Sequence, residues 1–197
     1  LQGSRLGMLN TTAVETLTDV PGTALEAACA KLSAKGAVFE DLEVPVVAEA
    51  TTLGPTLFPA EAYGTWRDKI ETLGHLMYPP VRDRFLQGKT TLAADFVAGW
   101  QKLDQLRAQY AVATAGFDAI ILPGCPILPP KIEDLMADGD YFTQQNLFAL
   151  QNTRIANLMG LAAITLPTGV PSTGIILQGP SEERLLRLAA AAEAALA

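Results

Sequence analysis

The chain has 197 residues, 49% of them hydrophobic and 18% charged, with a formal net charge of −7. That is enough apolar chain for one sizeable core and too little polarity for a disordered segment. The negative balance argues against nucleic acid and anionic membrane surfaces as partners. No uninterrupted apolar run approaches the length of a membrane-spanning helix. The two cysteines, Cys29 and Cys125, lie in unrelated contexts, which predicts free thiols in a reducing, cytoplasmic compartment.

In chain order, residues 5–9 read as a short strand. Asp19 can cap a helix with Pro21 in its first turn. Leu25, Ala28, Cys29 and Leu32 share one face of that helix, and Gly36 closes it as a left-handed cap. Residues 37–44 read as the next strand, stopped by Pro45. Strand, helix and strand in that order predict a right-handed unit with parallel strands. Residues 46–74 are helical in tendency, broken at Gly54-Pro55 and restarted at Pro59. Tyr63, Trp66, Ile70 and Leu73 share one face there. A short helix follows Pro79-Pro80 and ends at Gly88. Residues 91–115 are the longest periodic segment, with Leu92, Phe96, Trp100, Leu103 and Tyr110 as its apolar stripe. Lys102, Asp104 and Arg107 fall outside that stripe.

The stretch 117–132, FDAIILPGCPILPPKI, organises the rest. Residues 119–122 are a short apolar run that reads as a strand buried on both faces. It stops at Pro123, which has no N–H to give a sheet ladder. Pro126, Pro129 and Pro130 then stiffen the loop beyond it. The ends of such strands are where open α/β sheets bind ligands. Residues 134–140 read as a polar loop, and Thr143 as the cap of a helix running to Met159 and stopped by Gly160. Residues 162–166 form a strand expected beside 119–122, and residues 174–178 form another. Ser181 caps the last helix, with Glu182 and Glu183 at the positive end of its dipole. Leu185, Leu188, Ala189 and Ala192 are its buried face.

Three blocks of this chain resemble the amidase signature family. FDAIILPGCPILPP is similar to the family's aspartate, apolar strand and proline-rich loop, with Asp118, Pro123, Pro126 and Pro130 in the pattern. Residues 152–179 continue it, with Asn157, Gly160, Ala163, Ile164, Pro167, Gly169, Gly174 and Gly179 in register. Residues 78–96, YPPVRDRFLQGKTTLAADF, form a third and weaker block. Ala163 stands where the family favours proline. The resemblance implies an α/β fold with a mixed, mostly parallel sheet and helices on both faces. It also implies hydrolysis of carbon–nitrogen amide bonds through an acyl-enzyme on serine, the proton passing through a second serine to a lysine. It implies no cofactor and no metal.

The family's nucleophile lies in a Gly/Ser-rich segment with paired serines. This chain has no Ser-Ser pair, and its only Gly-Ser is Gly3-Ser4. The expectation is therefore a single, incomplete domain over residues 1–197, the C-terminal part of an amidase, with no catalytic residue of its own. Such a piece would self-associate through an exposed apolar face and, in the whole enzyme, contact a small-molecule amide. The alternative is a non-catalytic α/β domain that binds a small molecule or belongs to an amidotransferase assembly.

The remaining residues support no other chemistry. His75 is the only histidine, and nothing in the spacing brings it to Cys125 or a chosen serine. One histidine and two scattered cysteines make no metal cluster of the usual spacing. Cys125 has Gly124, Pro126 and Ile127 beside it and no cation, so it reads as pocket wall, not nucleophile. Gly124, Cys125, Pro126 and Ile127 are thus the first pocket candidates, on the resemblance of their loop. Asn157 is another, or else a helix-to-loop hydrogen bond. Arg154, on the same helix, would meet an acidic substrate or a buried partner.

Overall fold

The computed structural model describes residues 1–10 and 12–197. Its strands are β1 (Arg5–Leu9), β2 (Val38–Leu42), β3 (Ala119–Pro123), β4 (Ala162–Pro167) and β5 (Gly174–Gly179). They form one sheet in the order β2-β1-β3-β5-β4. β1 runs parallel to both β2 and β3, and β5 runs antiparallel to both β3 and β4. Four strands therefore point one way and only β5 points the other, the mixed, mostly parallel sheet that was expected.

All five residues of β3 are buried. Their side chains alternate between the sheet's two faces, as the pleat requires. Ile120 and Leu122 enter one apolar cluster, together with Ile176 of β5. Ala119 and Ile121 enter the other, together with Ile175 and Leu177. Helices α2 (Asp19–Ala34) and α10 (Glu182–Leu196) supply the second cluster through Leu25, Leu32, Leu185 and Ala189. Helices α3 (Val46–Thr51), α4 (Gly54–Leu73), α6 (Ala93–Thr114) and α9 (Thr153–Met159) cover the opposite face. There Val47, Leu57, Leu103, Leu106 and Leu158 close the first cluster. The remaining α-helices among the described residues are α1 (Thr12–Glu15), α5 (Pro79–Gln87), α7 (Ile132–Ala137) and α8 (Gly139–Ala149).

The strand expected beside β3 is not its neighbour. β4 pairs only with β5, register Ala162 with Gly179 through Pro167 with Gly174. The short turn between β4 and β5 makes them an antiparallel hairpin. β5, buried along almost its whole length, goes inside, and β4, with alternate residues exposed, forms the edge. Residues 134–140 are also not a loop. α7 ends at Ala137, and Asp138 accepts hydrogen bonds from the Asp140 and Tyr141 amides to start α8. The helix expected from Thr143 to Met159 is two, α8 and α9, separated at residues 150–152.

Pro59 does not restart a helix. α4 runs through it unbroken. A proline inside a helix removes one hydrogen bond to the residue four back, here Pro55 in the helix's first turn. The break lies earlier, at residues 52–53. Of the apolar face proposed for this helix, Tyr63 and Ile70 are buried while Trp66 and Leu73 are exposed. On α6 the buried stripe runs through Leu103, Leu106 and Tyr110, and Leu92 lies outside it, exposed. Arg107 donates to the Leu158 carbonyl at 2.7 Å and covers the Trp100 ring, which ties α6 to α9.

Gly88, after α5, lies hard against α4. A Cβ there would stand 2.0 Å from the Pro59 carbonyl oxygen. Gly64, in the exposed middle of α4, has nothing within 4 Å of such an atom. The two glycines should therefore respond oppositely to alanine. Gly88→Ala is expected to lower urea stability by about 1–3 kcal/mol through overpacking. Gly64→Ala is expected to raise it by about 0.5–1 kcal/mol through helix propensity.

Candidate active site

The end of β3 is held by several hydrogen bonds from remote parts of the chain. Asn152 is fully buried, and its Nδ2 donates to the carbonyls of Pro123 at 2.7 Å and Ala13 at 3.1 Å. Beyond Pro123, the Gly124 amide donates to the Gly174 carbonyl at 2.7 Å. The Pro126 carbonyl accepts both the Thr18 amide at 2.9 Å and the Thr18 hydroxyl at 3.1 Å. Prolines cannot satisfy one another, so the loop's carbonyls are held by groups from α9 and the start of α2, and its Gly124 amide by the start of β5. Cys125 is half-buried within this pinned segment, and Ile127 is buried.

A cavity of about 570 Å³ lies elsewhere, between α4, α5, α8 and α9. Phe58, Phe85, Leu147, Leu150 and Leu158 give it apolar walls. Arg84, Arg154 and Asn157 are among its polar groups. Of the sequence candidates, Asn157 and Arg154 reach this cavity, and Gly124, Cys125, Pro126 and Ile127 do not line it. Asn157 is exposed on the cavity side. The helix-to-loop hydrogen bond weighed for Asn157 is made instead by Asn152, five residues earlier on the other side of α9. In the sequence Asn152 lies in the polar run Gln151-Asn152-Thr153-Arg154, which resembles an ordinary helix start.

Burial, and then the charge of neighbouring Arg84, pull the Arg154 guanidinium below its ordinary value. Asn146, in the orientation that satisfies both groups, accepts from two Arg84 nitrogens at 3.0 and 3.3 Å. The other charged cluster lies on the outer side of α4. Lys89 stands 2.8 Å from Glu71, whose same oxygen accepts the Tyr63 hydroxyl at 2.7 Å. The hydrogen bond and charge of Glu71 raise the Lys89 pKa, which favours its charged form. Ser181 is used as a helix cap, its oxygen accepting the Arg184 amide. Ser172 is exposed in the β4–β5 turn, with a left-handed φ of 62°.

The sequence profile described as Amidase matches residues 1–179. The chain belongs to the amidase family, whose members hydrolyse carbon–nitrogen amide bonds. It is 27% identical to the 2-amino-5-chloromuconic acid deaminase of Comamonas testosteroni, over 98% of this chain and 44% of that protein. It is 28% identical to a glutamyl-tRNA(Gln) amidotransferase subunit of Halobacterium salinarum, over 85% of this chain and 46% of that one. The fold matches a crystal structure of an amidase with a TM-score of 0.80 at 21% identity, covering 100% of this chain and 46% of the other. It also matches 6-aminohexanoate cyclic dimer hydrolase with a TM-score of 0.78 at 22% identity, covering 99% and 45%. The chain thus spans less than half the length of these relatives. No helix among the described residues is long and apolar enough to cross a membrane.

Two expectations follow for this region. Asn152→Ala should lower stability by about 1–3 kcal/mol, because it orphans buried carbonyls. Asn152→Asp should cost more, since a carboxylate would face both of them; chemical denaturation of the two variants measures the difference. The second concerns the thiols. Burial, helped by the charge of Glu26, pushes Cys29 up to about 11. At pH 8 almost none of it is thiolate, so iodoacetamide should label Cys125 well before Cys29. Peptide mapping of partly alkylated protein reads this directly, and Cys29 labelling first would contradict it.

Proposed function

We propose that this chain is the C-terminal part of an amidase of the paired-serine and lysine type. It supplies pocket wall and five strands of the sheet, while the nucleophile and base come from a segment outside these 197 residues. The observation that carries this reading is that an amidase fold runs along the chain, yet among the described residues no serine hydrogen-bonds a lysine or a histidine. Amide cleavage needs a nucleophile activated by an adjacent base and donors for the oxyanion. Ser181 is spent as a cap, and Lys89 is held charged by Glu71. In the complete enzyme the cavity beside Asn157 is substrate wall. The pinned loop of Gly124, Cys125, Pro126 and Ile127 is the wall nearest the catalytic segment. A rigid wall suits this role, because misplacing the amide by about 1 Å costs about 100-fold in rate.

Trp66, Leu76 and Val112 are exposed by 57%, 74% and 79%. These apolar surfaces support the view that the chain alone is incomplete and self-associates. A reducing, cytoplasmic setting is part of the same proposal. The likeness to an amidotransferase component favours a second reading, in which the complete protein works within such an assembly.

The test starts from the coding sequence before Leu1, where paired serines in a Gly/Ser-rich segment and an earlier lysine are expected. A start codon there would favour the non-catalytic domain instead. Purified alone, the 197-residue chain should not turn over simple aliphatic or aromatic amides, and the longer protein should. Turnover by the isolated chain that disappears in Ser172→Ala would overturn the proposal.

A further inference from the structure

The cavity between α4, α5, α8 and α9 carries a charge imbalance that its apolar walls do not explain. The chain as a whole is acidic, with 21 Asp and Glu against 14 Lys and Arg. The cavity reverses this: Arg84 and Arg154 line it, and no carboxylate among the described residues does. Among the described residues, neither arginine belongs to any ion pair within 4.0 Å. Other arginines of the chain are matched, as Arg5 is by Glu40 and Arg187 by Glu183.

Arg84 comes from α5 and Arg154 from α9, so two separate helices bring like charges to one space. Arg84 is steadied by Asn146, a neutral acceptor that leaves its charge uncompensated. Burial first, and the charge of Arg84 second, hold the Arg154 guanidinium below its ordinary value. Two guanidiniums that line one cavity, with no carboxylate lining it among the described residues, are what a bound anion would relieve. The walls say what the anion is attached to. Phe58, Phe85, Leu147 and Leu150 surround the space, so the ligand has a hydrocarbon body rather than being a small hydrated ion.

We infer that this cavity takes a ligand with an apolar body and a carboxylate, the carboxylate being held between Arg84 and Arg154. The inference rests on the amidase reading above and names the substrate class that reading leaves open: amides that carry a carboxylate away from the bond to be cleaved. Arg84 and Arg154 are then positioning residues for the substrate, and Asn157 lies beside them on the same wall.

The test measures equilibrium binding, so that it stands apart from turnover. The whole protein that carries this chain is titrated calorimetrically with hexanoate, 1-hexanol and inorganic phosphate, none of which an amidase can hydrolyse. Hexanoate should bind roughly tenfold to a hundredfold more tightly than 1-hexanol, the range of a hydrogen-bonded charge pair. Arg84→Gln and Arg154→Gln should each reduce that preference by about tenfold, with 1-hexanol binding unchanged. Retained 1-hexanol binding shows that each variant is folded. Equal affinity for hexanoate and 1-hexanol in the unaltered protein overturns the inference and needs no variant. A preference that survives both substitutions, no detectable hexanoate binding, or phosphate binding as tightly as hexanoate would also overturn it. The amidase reading fails on a different observation, the absence of amide turnover in the whole protein.

Discussion

The structure depends on one buried strand whose far end cannot hydrogen-bond itself. β3 is covered on both faces and ends at Pro123, where the chain enters four prolines within eight residues. A proline-rich loop leaves carbonyls without partners, and a carbonyl buried beside a core costs free energy unless something donates to it. Asn152 meets that need at Pro123, Thr18 meets it at Pro126, and the Gly124 amide turns to Gly174. The same few bonds therefore fix the loop, the start of α2 and the entrance to β5. A loop held this way is a wall, and its side chains have little freedom to become a reacting group.

The opposite end of the helical layer is built by steric contact instead. Gly88 presses on the Pro59 carbonyl so closely that no side chain fits between α4 and the end of α5. That contact sets how far α5 stands from α4, and so how wide the cavity beside Phe58 and Phe85 remains. Arg107 holds the third wall by bonding the last turn of α9. The cavity is thus framed by a close backbone approach, one charged hydrogen bond and apolar side chains. Arg84 and Arg154 lie inside this frame, and among the described residues neither belongs to an ion pair.

The chain carries a sheet, a pinned loop and a cavity. Among the described residues its cap serine accepts a backbone amide, its turn serine is exposed, and Lys89 is paired with Glu71. The relatives it matches are more than twice its length.

Much of this was legible in the residues. Short apolar runs ended by proline marked β3 and β4, glycines at 36 and 160 marked helix ends, and Ser181 marked the last helix; each signal is local, so each survives in any context. The amidase resemblance was likewise a matter of residues in register along the chain. What sequence could not supply were facts about distance between remote parts. That β5 separates β4 from β3 follows from the hairpin turn and from which strand is apolar on both faces. That Pro59 lies within a helix depends on losing only one bond inside an otherwise intact turn. That Asn152 is structural while Asn157 faces a cavity depends on which side of α9 meets β3. And the pairing of Arg84 with Arg154, 70 positions apart, exists only because α5 and α9 border one space. Local propensity and periodicity belong to the sequence; the sharing of a cavity by distant helices belongs to the packing, because only packing brings their charges within reach of one another.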